Sequence, residues 1–149
     1  KENNNRISTC IQKPLHKTHL ASYREILIGG TKYKELASQI RSLNDLSGIP
    51  VIGLADGTGT RELYHRYFLS HGLMFAPDME AATTDQILPM ITHNLGIGFY
   101  PEELAAEAIA RGSAYAIRLV EPIPEREICL VTNSSTQMSA AVRKVISFL

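Results

Sequence analysis

The chain has 149 residues, 44% of them apolar, enough to bury a core and in keeping with one or two compact lobes. Lysine plus arginine equals aspartate plus glutamate at 15 each, so the formal net charge is zero and no block of like charge offers phosphates a counterion-releasing surface. Direct DNA binding by this stretch is therefore not expected, and the longest apolar run, interrupted by Pro50 and Gly53, falls far short of the roughly 20 residues a membrane span needs.

The chain opens on the polar run Lys1-Glu2-Asn3-Asn4-Asn5-Arg6, with no charged region, apolar stretch and cleavage site in succession. The expected setting is cytoplasmic. The first residue is not methionine, and the opening reads as the middle of a domain whose upstream part is missing. Residues 6–12 and 23–29 read as strands, the second rich in Ile and Leu and ended by Gly29-Gly30. Residues 32–38 read as a helical turn and 42–46 as a short capped turn. An apolar burst over 49–54 reads as a buried strand.

The segment Asp56-Gly57-Thr58-Gly59-Thr60 then precedes a helix that sets Leu63, Tyr64, Tyr67, Phe68 and His71 on one face, with Gly72 as its stop. A short strand over 78–82 leads to Thr83-Thr84-Asp85, the start of a second helix carrying Ile87, Leu88, Met90 and Ile91, within which Pro89 removes a hydrogen bond. Residues 95–100 read as a buried strand entering a helix with Pro101 at its first position and Gly112 at its end. Strands over 114–120 and 127–132 follow, separated by Pro122 and Pro124. A last helix from about Thr136 is expected to bury Met138, Val142, Val145, Ile146 and Leu149 on one stripe. Short strands alternating with amphipathic helices predict an α/β fold with largely parallel strands.

The loop Gly57-Thr58-Gly59-Thr60 is the most suggestive chemistry, because uncapped amides and threonine hydroxyls at a helix start bind carboxylates. It lacks the Gly-Lys-Ser/Thr ending of a nucleotide phosphate loop, and a turn with a threonine cap accounts for the same residues equally well. Thr83 and Thr84 repeat the pattern at the second helix, where capping is the favoured reading. Gly96-Ile97-Gly98 lacks the third glycine of a dinucleotide fingerprint and reads as close backbone packing. His16, His19, His65, His71 and His93 form no metal-ligand spacing, and Cys10 and Cys129 read as thiols without a catalytic signature. No catalytic residue, metal or cofactor is expected.

Several segments in order carry a family resemblance: Lys32-Tyr33-Lys34-Glu35-Leu36-Ala37, Ser42-Leu43-Asn44-Asp45-Leu46, Pro50-Val51-Ile52, Thr60-Arg61, and Asn94-Leu95-Gly96-Ile97-Gly98-Phe99-Tyr100-Pro101. Ile128-Cys129-Leu130-Val131, Met138-Ser139-Ala140-Ala141 and Phe148-Leu149 close the set. Together they resemble the regulatory domain of bacterial LysR-type transcriptional regulators over nearly the whole chain. The resemblance implies lobes like those of type 2 periplasmic binding proteins, two α/β bodies joined by crossover strands, with mixed, largely parallel sheets and a ligand between them.

By that likeness, residues 1–27 hold a remnant of the first lobe and a crossover, 28–128 the second lobe, and 129–149 the return crossover and closing helix. The family's effector loop falls on Gly57, Thr58, Gly59, Thr60 and Arg61, with a second polar contact at Thr83 and Thr84. The likeness finds no counterpart here for most of the first lobe's opening β-α-β unit or for the winged helix and linker helix, so DNA contact is expected of a part outside this sequence. The implied partners are a small-molecule effector, with Arg61 and the helix starts pointing to a carboxylate, and further copies in a dimer or tetramer. Residues 61–71 either serve such an interface or cover their own sheet. A solute-binding protein of a transport system is the alternative, and a small α/β enzyme has least support.

Overall fold

The computed structural model describes residues 15–133 and 137–149. They fall into two compact units: residues 15–22 with 127–133 and 137–149, and Tyr23–Arg126.

The second unit is built on five strands: β2 (Glu25–Gly29), β3 (Val51–Leu54), β4 (Met79–Ala81), β5 (Ile97–Pro101) and β6 (Tyr115–Ile117), in the order β4-β3-β5-β2-β6. Strand β3 runs parallel to β4 and β5, whereas β2 is antiparallel to β5 and β6, so the sheet is mixed with one reversed strand. Helix α1 (Gly59–Ser70) links β3 to β4, α2 (Thr84–Thr92) links β4 to β5, and α3 (Glu102–Ala110) follows β5. From β3 the chain steps outward to β4 and then back past β3 to β5. Right-handed crossovers in opposite directions leave their helices on opposite faces.

The packing follows that rule. On one face Tyr64, Tyr67 and Phe68 of α1 cluster with Leu27, Ile97, Phe99 and Phe75. On the other, Ile87 and Ile91 of α2 and Ala105 of α3 cluster with Ile28, Ile52, Leu54 and Tyr100. Adjacent strand residues, such as Leu27 and Ile28, divide between the layers because side chains alternate across a strand. Helix α1 thus spends its aromatic stripe on its own sheet.

Local sequence accounts for the boundaries. Residues 32–38 are realised as two 3-10 turns, Thr31–Tyr33 and Leu36–Ser38. The capped turn Leu43–Leu46 opens on Ser42, whose hydroxyl accepts from the Asp45 amide at 3.3 Å while Asp45 accepts from the Ser42 amide at 2.8 Å. Those bonds hold the Asp45 carboxyl below its usual range. Gly72 and Gly112 follow α1 and α3 at φ of 73° and 72°, the left-handed position that ends helices. Pro101 is the cap of α3 rather than its first residue. Pro89 sits inside α2 and takes one amide out of its ladder.

The other unit holds α4 (Ala140–Ile146) and, apart from Tyr23 and Arg126, the two paired strands β1 (Leu15–Tyr23) and β7 (Arg126–Asn133). Strand β1 was not legible in the sequence, and the expected strand at 6–12 lies outside the described residues. The expected apolar stripe is corrected here: α4 starts after the Ser139 cap and buries no residue, leaving Val145 60% and Leu149 69% exposed. Two strands offer too little apolar surface to cover a helix.

Two tyrosines on α1 give this fold a signature at high pH. Burial, and then the negative charge of Glu121, push Tyr67 from 10.0 up to about 12, and burial with Glu25 alongside raises Tyr64 as well. A group whose folded pKa is raised contributes stability that is whole below its unfolded value and is lost as pH climbs toward the folded one. The chain should therefore lose stability between pH 10 and about 12, by up to about 1.4 kcal/mol per pH unit for each tyrosine kept protonated. Urea midpoints across that window should fall less steeply for Tyr67→Phe; identical slopes in variant and parent would contradict the assignment.

Candidate functional site

Parallel β3, β4 and β5 share one carboxyl rim, with Leu54 opposite Ala81 in the register and the Ala55 amide donating to the Ala81 carbonyl at 3.1 Å. Because β2 is reversed, Glu25 at its start pairs with Pro101 and lies at the same rim. In open α/β sheets ligands sit outside the carboxyl ends of the strands. Both sequence-selected segments are there, since α1 leaves from β3 and α2 from β4 on opposite faces.

At α1, Gly57 has φ 81° and makes the turn that a side chain would strain. Thr58 is the cap: its hydroxyl donates to the Ala55 carbonyl at 3.0 Å and accepts from the Arg61 amide at 3.1 Å, so it is engaged both ways. The amides of Gly59 and Thr60, in the first turn, have no acceptor within the helix. Thr60 accepts from Arg126 Nη2 at 3.0 Å, and since a guanidinium only donates, the threonine keeps its own proton to give.

Arg61, expected from its place beside the helix start to favour an oxyanion, is already engaged by the protein. Its Nη1 donates to the Leu54 carbonyl at 2.9 Å and to Glu80 at 3.1 Å, and its guanidinium lies 5.6 Å from the centre of the Phe75 ring. With a side chain only 16% exposed, it ties α1 to β3 and β4.

At α2, Thr83 is the N-cap without a side-chain capping bond, and it is exposed, with Thr84 half-buried. The amides of Thr84 and Asp85 likewise have no acceptor within the helix. Gln86 reaches back to accept from the Ala82 amide at 2.9 Å and fixes the turn. Beneath it, burial and then the negative Asp85 raise the Tyr100 hydroxyl above its usual range.

The structure adds residues that the sequence did not mark: Glu25, Tyr64 and Arg126 converge behind Thr60, as detailed below. Tyr64 had been read only as part of an apolar stripe. The available signal was a charge at the first position of each of two strands, Glu25 on β2 and Arg126 on β7. At the opposite, amino end of β3, a groove of about 350 Å³ is lined by Leu43, Leu46, Ile49, Phe68, Leu73 and the exposed Met74. Gly96 and Gly98 serve close packing: a Cβ at Gly96 would stand 2.6 Å from the Pro50 carbonyl oxygen, and one at Gly98 would meet Ile87 and Ile91 of α2. Among the described residues no cluster of His, Cys, Asp and Glu could hold a metal ion, no helix is long and apolar enough to cross a membrane, and Cys129 is a free thiol.

Known proteins share this arrangement. The regulatory domain of CcmR from Synechocystis PCC6803 in complex with 2-PG superposes with a TM-score of 0.78 at 17% identity, covering 92% of this chain and 66% of that one. The effector binding domain of QuiR in complex with shikimate gives 0.75 at 16%, covering 90% and 63%. The bromide-bound regulatory domain of HypT from Salmonella typhimurium gives 0.72 at 15%, covering 93% and 64%. These likenesses establish the fold. In sequence, the chain is 24% identical over 142 residues to the uncharacterized HTH-type transcriptional regulator YeiE of Escherichia coli K12, covering 93% of this chain and 48% of that protein, so it spans about half the length of the curated relatives it matches. The model of the LysR substrate binding domain matches residues 8–149, and the chain belongs to that family of transcriptional regulator domains.

Proposed function

We propose that this chain is the effector-sensing part of a larger, cytoplasmic transcription regulator, and that its second unit, acting as the family's second lobe, receives a small organic anion at the carboxyl rim. The observation that carries this reading is the pair of helix starts on neighbouring parallel strands. Gly59, Thr60, Thr84 and Asp85 offer amides there, and Thr60 adds a hydroxyl proton. An array of donors suits a carboxylate or another oxyanion. Solved relatives in complex with shikimate, with 2-PG and with bromide support a small ligand in this fold.

DNA contact is assigned to a segment outside this chain, in keeping with the neutral charge and with a relative named for its helix-turn-helix. Ligand binding would shift the conformation of a homo-oligomer on DNA through its differential affinity for two states. Thermal unfolding of the chain against a panel of organic acids and their methyl esters tests the ligand class. At least one acid should raise the midpoint while its ester does not, because only a ligand bound to the folded state stabilises it. A panel in which no acid shifts the midpoint, or in which esters act equally well, rules against an anion.

A further inference from the structure

Glu25 is the buried charged residue of the described core, 6% exposed at the start of β2. One of its oxygens, Oε2, accepts from the Tyr64 hydroxyl and from Arg126 Nη1 at 3.3 Å. The same guanidinium donates through Nη2 to Thr60 at 3.0 Å and lies 5.8 Å from the centre of the Tyr23 ring. The chain passes between its two units at two places only, Ser22 to Tyr23 and Arg126 to Glu127. Tyr23 and Arg126, on the second unit's side of the two passages, touch each other, and Arg126 also reaches a buried carboxylate and the first turn of α1.

A connection that had only to be stable would not need this. Buried ion pairs are commonly matched or surpassed in stability by apolar packing, and their best-attested use is to fix one arrangement among several. The planar fork of arginine donates in two directions at once, here toward Glu25 and toward Thr60, which a lysine ammonium on a flexible stem does not reproduce. We propose that Arg126 is a positioning residue that couples the first turn of α1 to the two points where the chain leaves the second unit. A change at Thr60 is passed through Arg126 to Glu25 and Tyr23, and the reverse holds to the same extent because such coupling is reciprocal.

The proposal deepens the reading of α1 as an effector contact, but its test needs no ligand, so the two fail separately. Hydrogen exchange of the whole chain is compared for Thr60→Val, a near-isosteric change that removes the hydroxyl accepting from Arg126 together with its proton, and for Arg126→Lys, which keeps the positive charge. Thr60→Val should speed exchange at the amides of Glu25, Ile26 and Glu127 by at least about threefold, although these are remote in sequence, and leave β5 amides at Ile97 and Phe99 unchanged. Arg126→Lys should speed the same set and also the Glu62 and Leu63 amides, and the double variant should add little to Arg126→Lys alone. Exchange confined to the mutated element, a uniform rise across the second unit, or full additivity in the double variant overturns the coupling.

Discussion

Phe99→Ala should cost the chain about 3–5 kcal/mol, measured by urea unfolding at neutral pH, because it empties the centre of the larger aromatic layer. Phe99 sits on β5 opposite Leu27, 5% exposed. Its ring stacks on Tyr64 at 4.2 Å and 18°, meets Phe68 and Tyr67 edge-on at 6.2 Å, and approaches Phe75 at 6.4 Å. No neighbour is placed to collapse into the gap without leaving its own contacts, so a cavity term adds to the lost burial. Since α1 rests on Phe99 through Tyr64, the loss should also loosen the first turn that carries Thr58 to Arg61. A cost below about 1 kcal/mol would mean that α1 is held mainly by its polar ties to Leu54, Glu80 and Glu25.

Gly96→Ala comes next, with a cost at or above the upper end of about 1–3 kcal/mol. The obstacle is backbone: the new methyl would lie 2.6 Å from the Pro50 carbonyl oxygen, and that same oxygen accepts from the Ile97 amide at 2.9 Å. Relief requires β5 to move away from β3, against the pairing of Val51 with Ile97 and Ile52 with Gly98. Gly59→Ala is the internal comparison, for nothing lies within 4 Å of a Cβ there and the position is the first of a helix. It should be neutral or slightly stabilising. Equal costs for the two substitutions would show that the loss is one of glycine flexibility and not of strand approach.

What the sequence revealed follows from which interactions are local. The cap at Thr58, the boxed turn at Ser42 and Asp45, and the glycine stops at Gly72 and Gly112 are made by residues within a turn of each other, and each was legible, whereas the capping expected of Thr83 is not made by its side chain. The buried strands were found because a run such as Ile26, Leu27 and Ile28 is apolar on both faces, as a covered sheet demands. Strand β1 escaped for the opposite reason: from Leu15 to Ser22 it is exposed on both faces, so no alternation marks it. The stripe on α4 was genuine in pattern, but pattern cannot say whether a surface exists to receive it.

The candidate site divides the same way. Its threonines and glycines announce themselves by spacing, whereas the partners of Arg61 lie 7 and 19 positions away, beyond a single turn, and those of Arg126 much farther. Arg61 was read as a ligand group and is engaged by Leu54 and Glu80. Arg126 went unread because its partners, Glu25 and Thr60, lie 101 and 66 positions away.

In the proposed function, the carboxyl rim of β3, β4 and β5 receives the effector. Amide nuclear magnetic resonance of the chain, titrated with whichever organic acid most raises its unfolding midpoint, tests it most directly. Saturable shifts are expected at Gly59, Thr60, Thr84 and Asp85, with the amides of Asn44, Ser47 and Gly48 beside the groove at the other end of the sheet staying in place. Shifts centred on that groove, with the two helix starts unmoved, would contradict it.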